Sequence, residues 1–254
     1  MEVAEYEKMY KFEEGYWWWI GKREIVKCIL NRLNLNFTNV LDAGCGTGLN
    51  LNYLKHYGSV IGLDFSKEAL NFCKLRAAEN LIQADAEKVP FKEDTFDLIT
   101  ALDLLEHLDD GNVLKEFYRV LKPNAYLIIT VPAFKFLWSK HDEALHHKRR
   151  YNKGQLKDIL EQNGLILKKI TYWDFFLFLP IVMLRLAKKK AMKKQEVKTD
   201  VERLPNFVNR FFTSVLKVES HLITHDVNLP FGTSIVCICE KRGENEVKQK
   251  MGGY

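Results

Sequence analysis

The chain lacks a paired-cysteine framework. Its five cysteines, Cys28, Cys45, Cys73, Cys237 and Cys239, show no disulfide spacing, so they read as reduced, buried thiols of an intracellular protein. Cys237 and Cys239 lie on a predicted strand and are expected to point to opposite faces, which would keep them from sharing a metal. No secretory signal pattern is present, because Met1 to Glu14 is acidic and polar with no apolar core. A membrane-spanning helix needs roughly 20 apolar residues, and the run from Asp174 to Ala187 stops short of that. Charge of one sign is not in large excess: 38 Lys and Arg stand against 33 Asp and Glu, a net +5, and the distribution of such a bias matters more than its size. What remains, at 254 residues with 47% hydrophobic and 28% charged, is one folded α/β domain with room for an insertion.

The stretch Val40-Leu41-Asp42-Ala43-Gly44-Cys45-Gly46-Thr47-Gly48 organises the rest. Thr38 to Leu41 reads as a short buried strand, and Leu49, Leu51, Leu54 and Tyr57 have helical spacing, so the glycines sit on a strand-to-helix turn. Glycine there permits φ > 0 and lets a ligand lie against main-chain N–H groups, joined by the free amides of the helix start. The dinucleotide fingerprint wants G-x-G-x-x-G, but the register here is G-x-G-x-G, with Leu49 at the sixth place. Asp42 would repel a pyrophosphate and suits a cationic ammonium. S-adenosylmethionine (SAM) carries an ammonium and no phosphate.

These residues resemble the D-x-G-x-G-x-G first motif of the class I SAM-dependent methyltransferases. Three further stretches match at the right intervals: Gly62-Leu63-Asp64-Phe65-Ser66, Gln83-Ala84-Asp85-Ala86-Glu87 and Phe96 to His107. Leu121 to Thr130 follows as the turn into a fifth strand, and the resemblance covers about Trp17 to Tyr172. It implies a Rossmann-like, doubly wound sheet of seven strands, mostly parallel with the last antiparallel. It also implies SAM held by Asp42, Gly44, Cys45, Gly46 and Gly48 at the methionine end, by Asp64 and Phe65 at the ribose, by Asp85 and Ala86 at the adenine, and by Leu102. Asp103-Leu104-Leu105-Glu106-His107 is similar to the E-x-x-E-H of ubiquinone-pathway O-methyltransferases, where it can hold a divalent ion. Asp103 shortens the reach, so no metal is expected; the simpler role is a helix cap at Asp103, with His107 a candidate base.

Around that core the sequence divides into a helical, aromatic cap over residues 1–36, a core over 37–172 and 233–242, a helical insertion over 173–232 and a polar tail over 243–254. In the cap, Glu5 to Gly15 and Gly21 to Leu33 read as helices, with the aromatic segment from Tyr16 to Ile20 between them either as a flap on the domain edge or as a wall of the acceptor pocket through Trp18. The segment Pro132 to Tyr151 leaves the fifth strand at the edge where open α/β sheets bind ligands. It is similar to the H-D-x-x-x-x-H-x-R-R-Y segment of a bacterial and archaeal methyltransferase subgroup, read with His141, Asp142, His146, Arg149, Arg150 and Tyr151 in place. Trp138, His146, Arg149, Arg150 and Tyr151 are the substrate candidates, and His141 joins Asp103 and His107 as a catalytic one. A metal held by His141, Asp142, His146 and His147 is set aside because nothing fixes a tetrahedral set.

The insertion opens with the aromatic run Phe175 to Leu179 and the lysines at 188–190, 193 and 194, followed by an amphipathic stretch from Phe207 to Leu222. It reads either as a lid or subunit contact, or as a membrane-surface element through 175–194. The expectation is a cytoplasmic methyltransferase, at the inner membrane face in the second reading, acting on O or N of a small-molecule or lipid acceptor. Its alternatives are an RNA or protein methyltransferase working with a partner, and a SAM-binding membrane protein without turnover. Nucleic acid is the less favoured partner, since no aromatic-interleaved basic strand is present.

Overall fold

A computed structural model describes residues 2–191, 201 and 203–243, without the side chains of 186–191. Lys193, Lys194 and the tail expected at 243–254, Gly243 excepted, lie outside the described residues. The strands are β1 (Asn39–Ala43), β2 (Ser59–Asp64), β3 (Leu81–Gln83), β4 (Phe96–Leu102), β5 (Leu121–Pro132), β6 (Leu165–Trp173) and β7 (Ser234–Lys241). The helices are α1 (Val3–Phe12), α2 (Trp17–Leu33), α3 (Leu49–Leu54), α4 (Lys67–Leu75), α5 (Asp110–Val120), α6 (Lys140–Ala144), α7 (Lys153–Gln162), α8 (Phe178–Ala191) and α9 (Asn206–Thr224). Contacts divide the chain into two compact units. One comprises Met1–Leu35, Val131–Asn152 and Thr171–Ile235; the other comprises Asn36–Thr130, Lys153–Ile170 and Val236–Tyr254.

The second unit carries nearly all of a seven-stranded sheet in the order β3-β2-β1-β4-β5-β7-β6. β1 pairs parallel with β2 and β4, β2 with β3, and β4 with β5, while β7 enters antiparallel between β5 and β6. The expected Rossmann-like fold is borne out. Strands with both faces covered need continuous apolar runs, and Val40, Leu41, Leu98, Ile99, Leu127, Ile128 and Ile129 are wholly buried. Strand order reverses between β1 and β4, which places the ligand crevice at their carboxyl ends. Helix starts are marked chemically: Ser66 Oγ accepts from Ala69 N at 3.2 Å at α4, and Asp109 Oδ1 from Asn112 N at 3.0 Å at α5.

The first unit is built on α2 against α9. The aromatic segment is no separate flap, because α2 begins at Trp17, four residues before the helix start read from the sequence. The reason lies far along the chain. Asn209 on α9 accepts from Trp17 N at 2.9 Å through Oδ1 and donates to Gly15 O at 2.7 Å through Nδ2, fixing the helix start from outside. Trp17 packs edge-on against Phe212 with ring centroids 5.3 Å apart. A second correction concerns Cys237 and Cys239. Alternate residues of a strand share a face, and the two buried Sγ atoms stand 3.6 Å apart.

Gly21 marks where α2 and α9 approach most closely: a Cβ there would lie 2.3 Å from Leu216 Cδ1 and 2.9 Å from its Cβ. Gly21→Val is expected to cost about 1–3 kcal/mol by overpacking. Adding Leu216→Ala should recover part of that loss, measured as a coupling in urea denaturation of the two single variants and the double variant.

Candidate active site

The glycine turn is pinned to the end of β2. Gly44 N and Cys45 N both donate to Leu63 O, at 2.7 and 3.0 Å, and Gly46 N donates to Asp64 Oδ2 at 2.9 Å. Gly44, Gly46 and Gly48 take φ of +71°, +54° and +83°, values that L side chains reach only with strain. Space is also closed: a Cβ on Gly44 would lie 2.8 Å from Leu104 Cδ1, and one on Gly48 would lie 2.8 Å from Cys73 Sγ. Cys73 Sγ donates to Gly46 O at 3.1 Å and lies 3.9 Å from Cys45 Sγ. That contact and burial push the Cys45 thiol up, so it is an inert packing group rather than a nucleophile.

Asp42 ends β1 inside the unit, 1% exposed. Its Oδ1 accepts from Thr100 Oγ1 at 2.6 Å, while Oδ2 has no hydrogen-bond partner among the described residues. Burial pushes its carboxyl up to about 7, with the Thr100 bond opposing and the Asp64 charge adding to the rise. Asp64 is also raised, chiefly by burial, against the pull of the Ser66 and Gly46 amides. Phe65, beside it, is a large apolar ring 73% exposed. Asp85 is exposed, with Oδ1 accepting from Glu87 N at 2.9 Å, and Ala86 is buried.

After β4 the chain turns at Asp103, whose φ is +54°. Asp103 caps no helix. Its N donates to Thr130 O and its Oδ1 accepts from Thr130 Oγ1, both at 2.9 Å, so it ties the turn to β5; the helix cap falls to Asp109 instead. Leu102 and His107 are half-buried and Glu106 is fully buried in the short 3-10 turn Leu105–His107.

In the first unit, the segment after β5 is organised by Asp142, which is fully buried. Oδ1 accepts from Arg150 Nε at 2.7 Å and lies 2.9 Å from His147 Nδ1, while Oδ2 accepts from Arg150 Nη2 at 3.1 Å and from Ser139 N at 2.9 Å. Burial works against ionisation, but the His147 bond and the Arg150 guanidinium hold this carboxyl well below the usual carboxylate range.

Two sequence assignments change here. Arg150 is 7% exposed and its fork is taken by Asp142 and, at 3.0 Å, by Ala133 O. The second histidine of the motif is His147, which the motif's own count from Asp142 also gives. His146 takes φ of +58° and faces outward, 3.5 Å from Glu2. Tyr151 is buried in a parallel bridge with Ala133, and His141, Trp138 and Arg149 are half-buried. Trp18 lies under Lys22 Nζ, 3.6 Å from its ring, and 6.3 Å from the ring of Trp173. Thr100, Leu104 and Thr130 carry no sequence signal beyond their strand and loop positions.

Residues 41–129 match the methyltransferase domain family. Over those residues the chain resembles the class I SAM-dependent methyltransferases. It is 33% identical over 135 residues to the malonyl-[acyl-carrier protein] O-methyltransferase of Enterobacter lignolyticus, covering 49% of this chain and 53% of that one. It is 27% identical over 194 residues to the ubiquinone biosynthesis O-methyltransferase of Aliivibrio fischeri, covering 63% of this chain and 83% of that one. The chain spans about half the length of several curated relatives it matches. In fold it is similar to a SAM-dependent methyltransferase of Thermotoga maritima, with a TM-score of 0.61 at 20% identity over 94% of this chain and 96% of that one.

The family's cofactor is SAM, and the residues present fit it: a buried carboxylate oxygen without a partner, a glycine turn with no room for Cβ at two positions, and an exposed ring beside a strand-end acid. Asp42 makes a pH prediction. Its folded pKa near 7 lies above the unfolded value of about 3.9, so its contribution to stability is full below about pH 4 and is lost as pH rises through 7. Against Asp42→Asn, the wild-type protein should lose stability between pH 5 and 8, at up to about 1.4 kcal/mol per pH unit, in urea melts at fixed salt.

Proposed function

We propose that this chain moves a methyl group from SAM to an oxygen or nitrogen of a small-molecule or lipid acceptor. The observation that carries the reading is the turn Gly44–Gly48, all three glycines at positive φ, clamped to Leu63 and Asp64 at the end of the neighbouring strand. Asp42 and the turn's backbone take the methionine end of SAM, with Cys45 packed beneath it. Asp64 takes the ribose hydroxyls through lone pairs its amide bonds leave, Phe65 lies on the nucleoside, Asp85 and the Ala86 amide read the adenine, and Leu102 closes the wall. When bound, SAM supplies an electrophilic methyl on a sulfonium. The chain's own contribution is alignment and exclusion of water, with proton removal a smaller factor. Asp103 and His107 are the groups proposed for the acceptor's reacting atom. Gly46→Arg is expected to weaken SAM and S-adenosylhomocysteine binding at least 100-fold in isothermal titration, because the strained turn cannot hold both a side chain and a ligand. Unchanged affinity for both ligands would end the reading.

The same proposal places the acceptor at an anionic membrane surface. Phe176, Leu179, Met183 and Leu184 in and before α8, and Phe207, Phe211 and Val218 on α9, are exposed large apolar side chains. Arg210 and Lys217 are exposed on α9, and its one acid, Glu219, is buried. A face of rings and cations without acids suits the headgroup boundary. No helix among the described residues is long and apolar enough to cross a membrane. Phosphatidylglycerol vesicles should float the wild-type protein at low salt and release it at high salt. Leu179→Glu with Phe211→Glu should stay in solution at either salt; flotation of that variant equal to wild type would place the contact elsewhere.

A further inference from the structure

We propose that His221 and His225 form a two-nitrogen site for a divalent transition-metal ion at the carboxyl end of α9. His221 lies in the last turn of that helix and His225 is its cap, the i and i+4 positions that share one face. Their ring centroids are 4.1 Å apart, and both residues are exposed. An ion bonded at about 2.0–2.1 Å to a nitrogen of each ring can bridge such a pair. Both histidines belong to the first unit, and neither enters the methyl-transfer reading, so the two proposals stand or fall separately.

His225 is oriented before any ion arrives. Its Nδ1 lies 2.8 Å from His221 O. A carbonyl only accepts, so Nδ1 carries the proton and the neutral ring holds its lone pair on Nε2. The helix end does not require that bond. His225 N already donates to His221 O at 3.1 Å and to Leu222 O at 3.0 Å, and Thr224 Oγ1 reaches the same His221 O at 2.9 Å. A ring hydrogen bond added to a carbonyl with two donors has its consequence on the ring. It is the arrangement of metal-bound histidines, one ring N–H on a carbonyl or carboxylate and the other nitrogen on the ion.

The surroundings admit a cation. The last carbonyls of a helix give its carboxyl end a partial negative charge. Two charged neighbours act in opposite directions: Lys217, exposed one turn before His221, and Asp226, which follows His225 and pairs with Arg32 at 2.7 Å. Imidazole nitrogens select late first-row ions, with Cu²⁺ ahead of Ni²⁺ and Zn²⁺, over Mg²⁺ and Ca²⁺, which take oxygen. Two protein ligands are fewer than structural or catalytic zinc sites use, so water completes the shell and the ion exchanges. Once bound, it cross-links the final turn of α9, the helix whose Asn209 fixes the start of α2.

The test titrates the untagged full chain with CuCl₂ and ZnCl₂ in a non-chelating buffer, with MgCl₂ as the control. Wild-type protein is expected to bind both transition metals, Cu²⁺ about tenfold or more tightly than Zn²⁺. His221→Gln and His225→Gln should each weaken Cu²⁺ binding about tenfold or more, because the second nitrogen no longer acts at high effective concentration. The double variant should bind one equivalent fewer. Both side chains are exposed, so circular dichroism should show the variants folded. A second measurement needs no variant to fold: in long-range ¹H–¹⁵N correlation of ¹⁵N-histidine wild-type protein, ion-free His225 should be the Nδ1–H tautomer, and Zn²⁺ should move the ring signals of His221 and His225 together. Four results overturn the assignment. They are Cu²⁺ binding unchanged in the double variant, a loss confined to one single variant, an Nε2–H tautomer at His225, or wild-type protein that takes up neither transition metal at about 0.1 mM.

Discussion

One carbonyl governs the glycine turn of this protein. Leu63 O accepts from Gly44 N and Cys45 N together, and the next residue, Asp64, holds Gly46 N. Three successive amides of the turn are thus fixed by two consecutive residues at the end of β2, and the turn can satisfy them only by running at positive φ. Glycine at 44, 46 and 48 follows from that geometry rather than from flexibility. The packing closes it further: Leu104 fills the place of a Cβ at 44, and Cys73 fills it at 48 while bonding Gly46 O. Elements from β2, α4 and the loop after β4 all bear on five residues, so the loop is rigid before any ligand arrives, and a ligand bound there need not order it.

The two buried aspartates at strand ends follow one plan, one in each unit. Asp42 ends β1 with Thr100 Oγ1 on one oxygen at 2.6 Å; Asp174 follows β6 with Thr233 Oγ1 on one oxygen, also at 2.6 Å. In both cases burial dominates and raises the carboxyl, to about 7 and about 8, the threonine bond opposing. A single neutral hydroxyl is worth too little to keep a desolvated carboxylate charged. Asp142 shows the contrast. Equally buried, it has a guanidinium and an imidazole, and it stays ionised. The partner, not the depth, decides whether a buried acid here is a charge or a proton donor.

The sheet was legible because its signals are local: apolar runs for strands, glycine for the turn, and a carboxylate after β2. What escaped reading depended on distant partners. The start of α2 at Trp17 is set by Asn209, and no pattern near Trp17 reports a residue so far along the chain. Asp103 looked like a helix cap because a helical stretch follows; Thr130, on the adjacent strand, claims it instead. The cysteine pair at 237 and 239 was misjudged for a plainer reason, since the two-residue repeat of a strand puts both on one side. The histidine error was likewise a matter of counting, although only the fold shows that His147, and not His146, meets Asp142.

Arg149 and Arg150 are neighbours with opposite fates, and the reason is geometric. Tyr151 forms a parallel bridge with Ala133, and extended backbone turns successive side chains to opposite sides. One arginine must then point inward if the other is to be reached from outside. The inward place holds a carboxylate presented edge-on, which a planar fork matches with two parallel bonds and an ammonium does not. Arg150 also reaches Ala133 O at 3.0 Å, so it ties the carboxylate to the strand bridge in one side chain. A basic pair that suggests anion capture in the sequence is thereby divided, with Arg150 drawn into the framework of the segment.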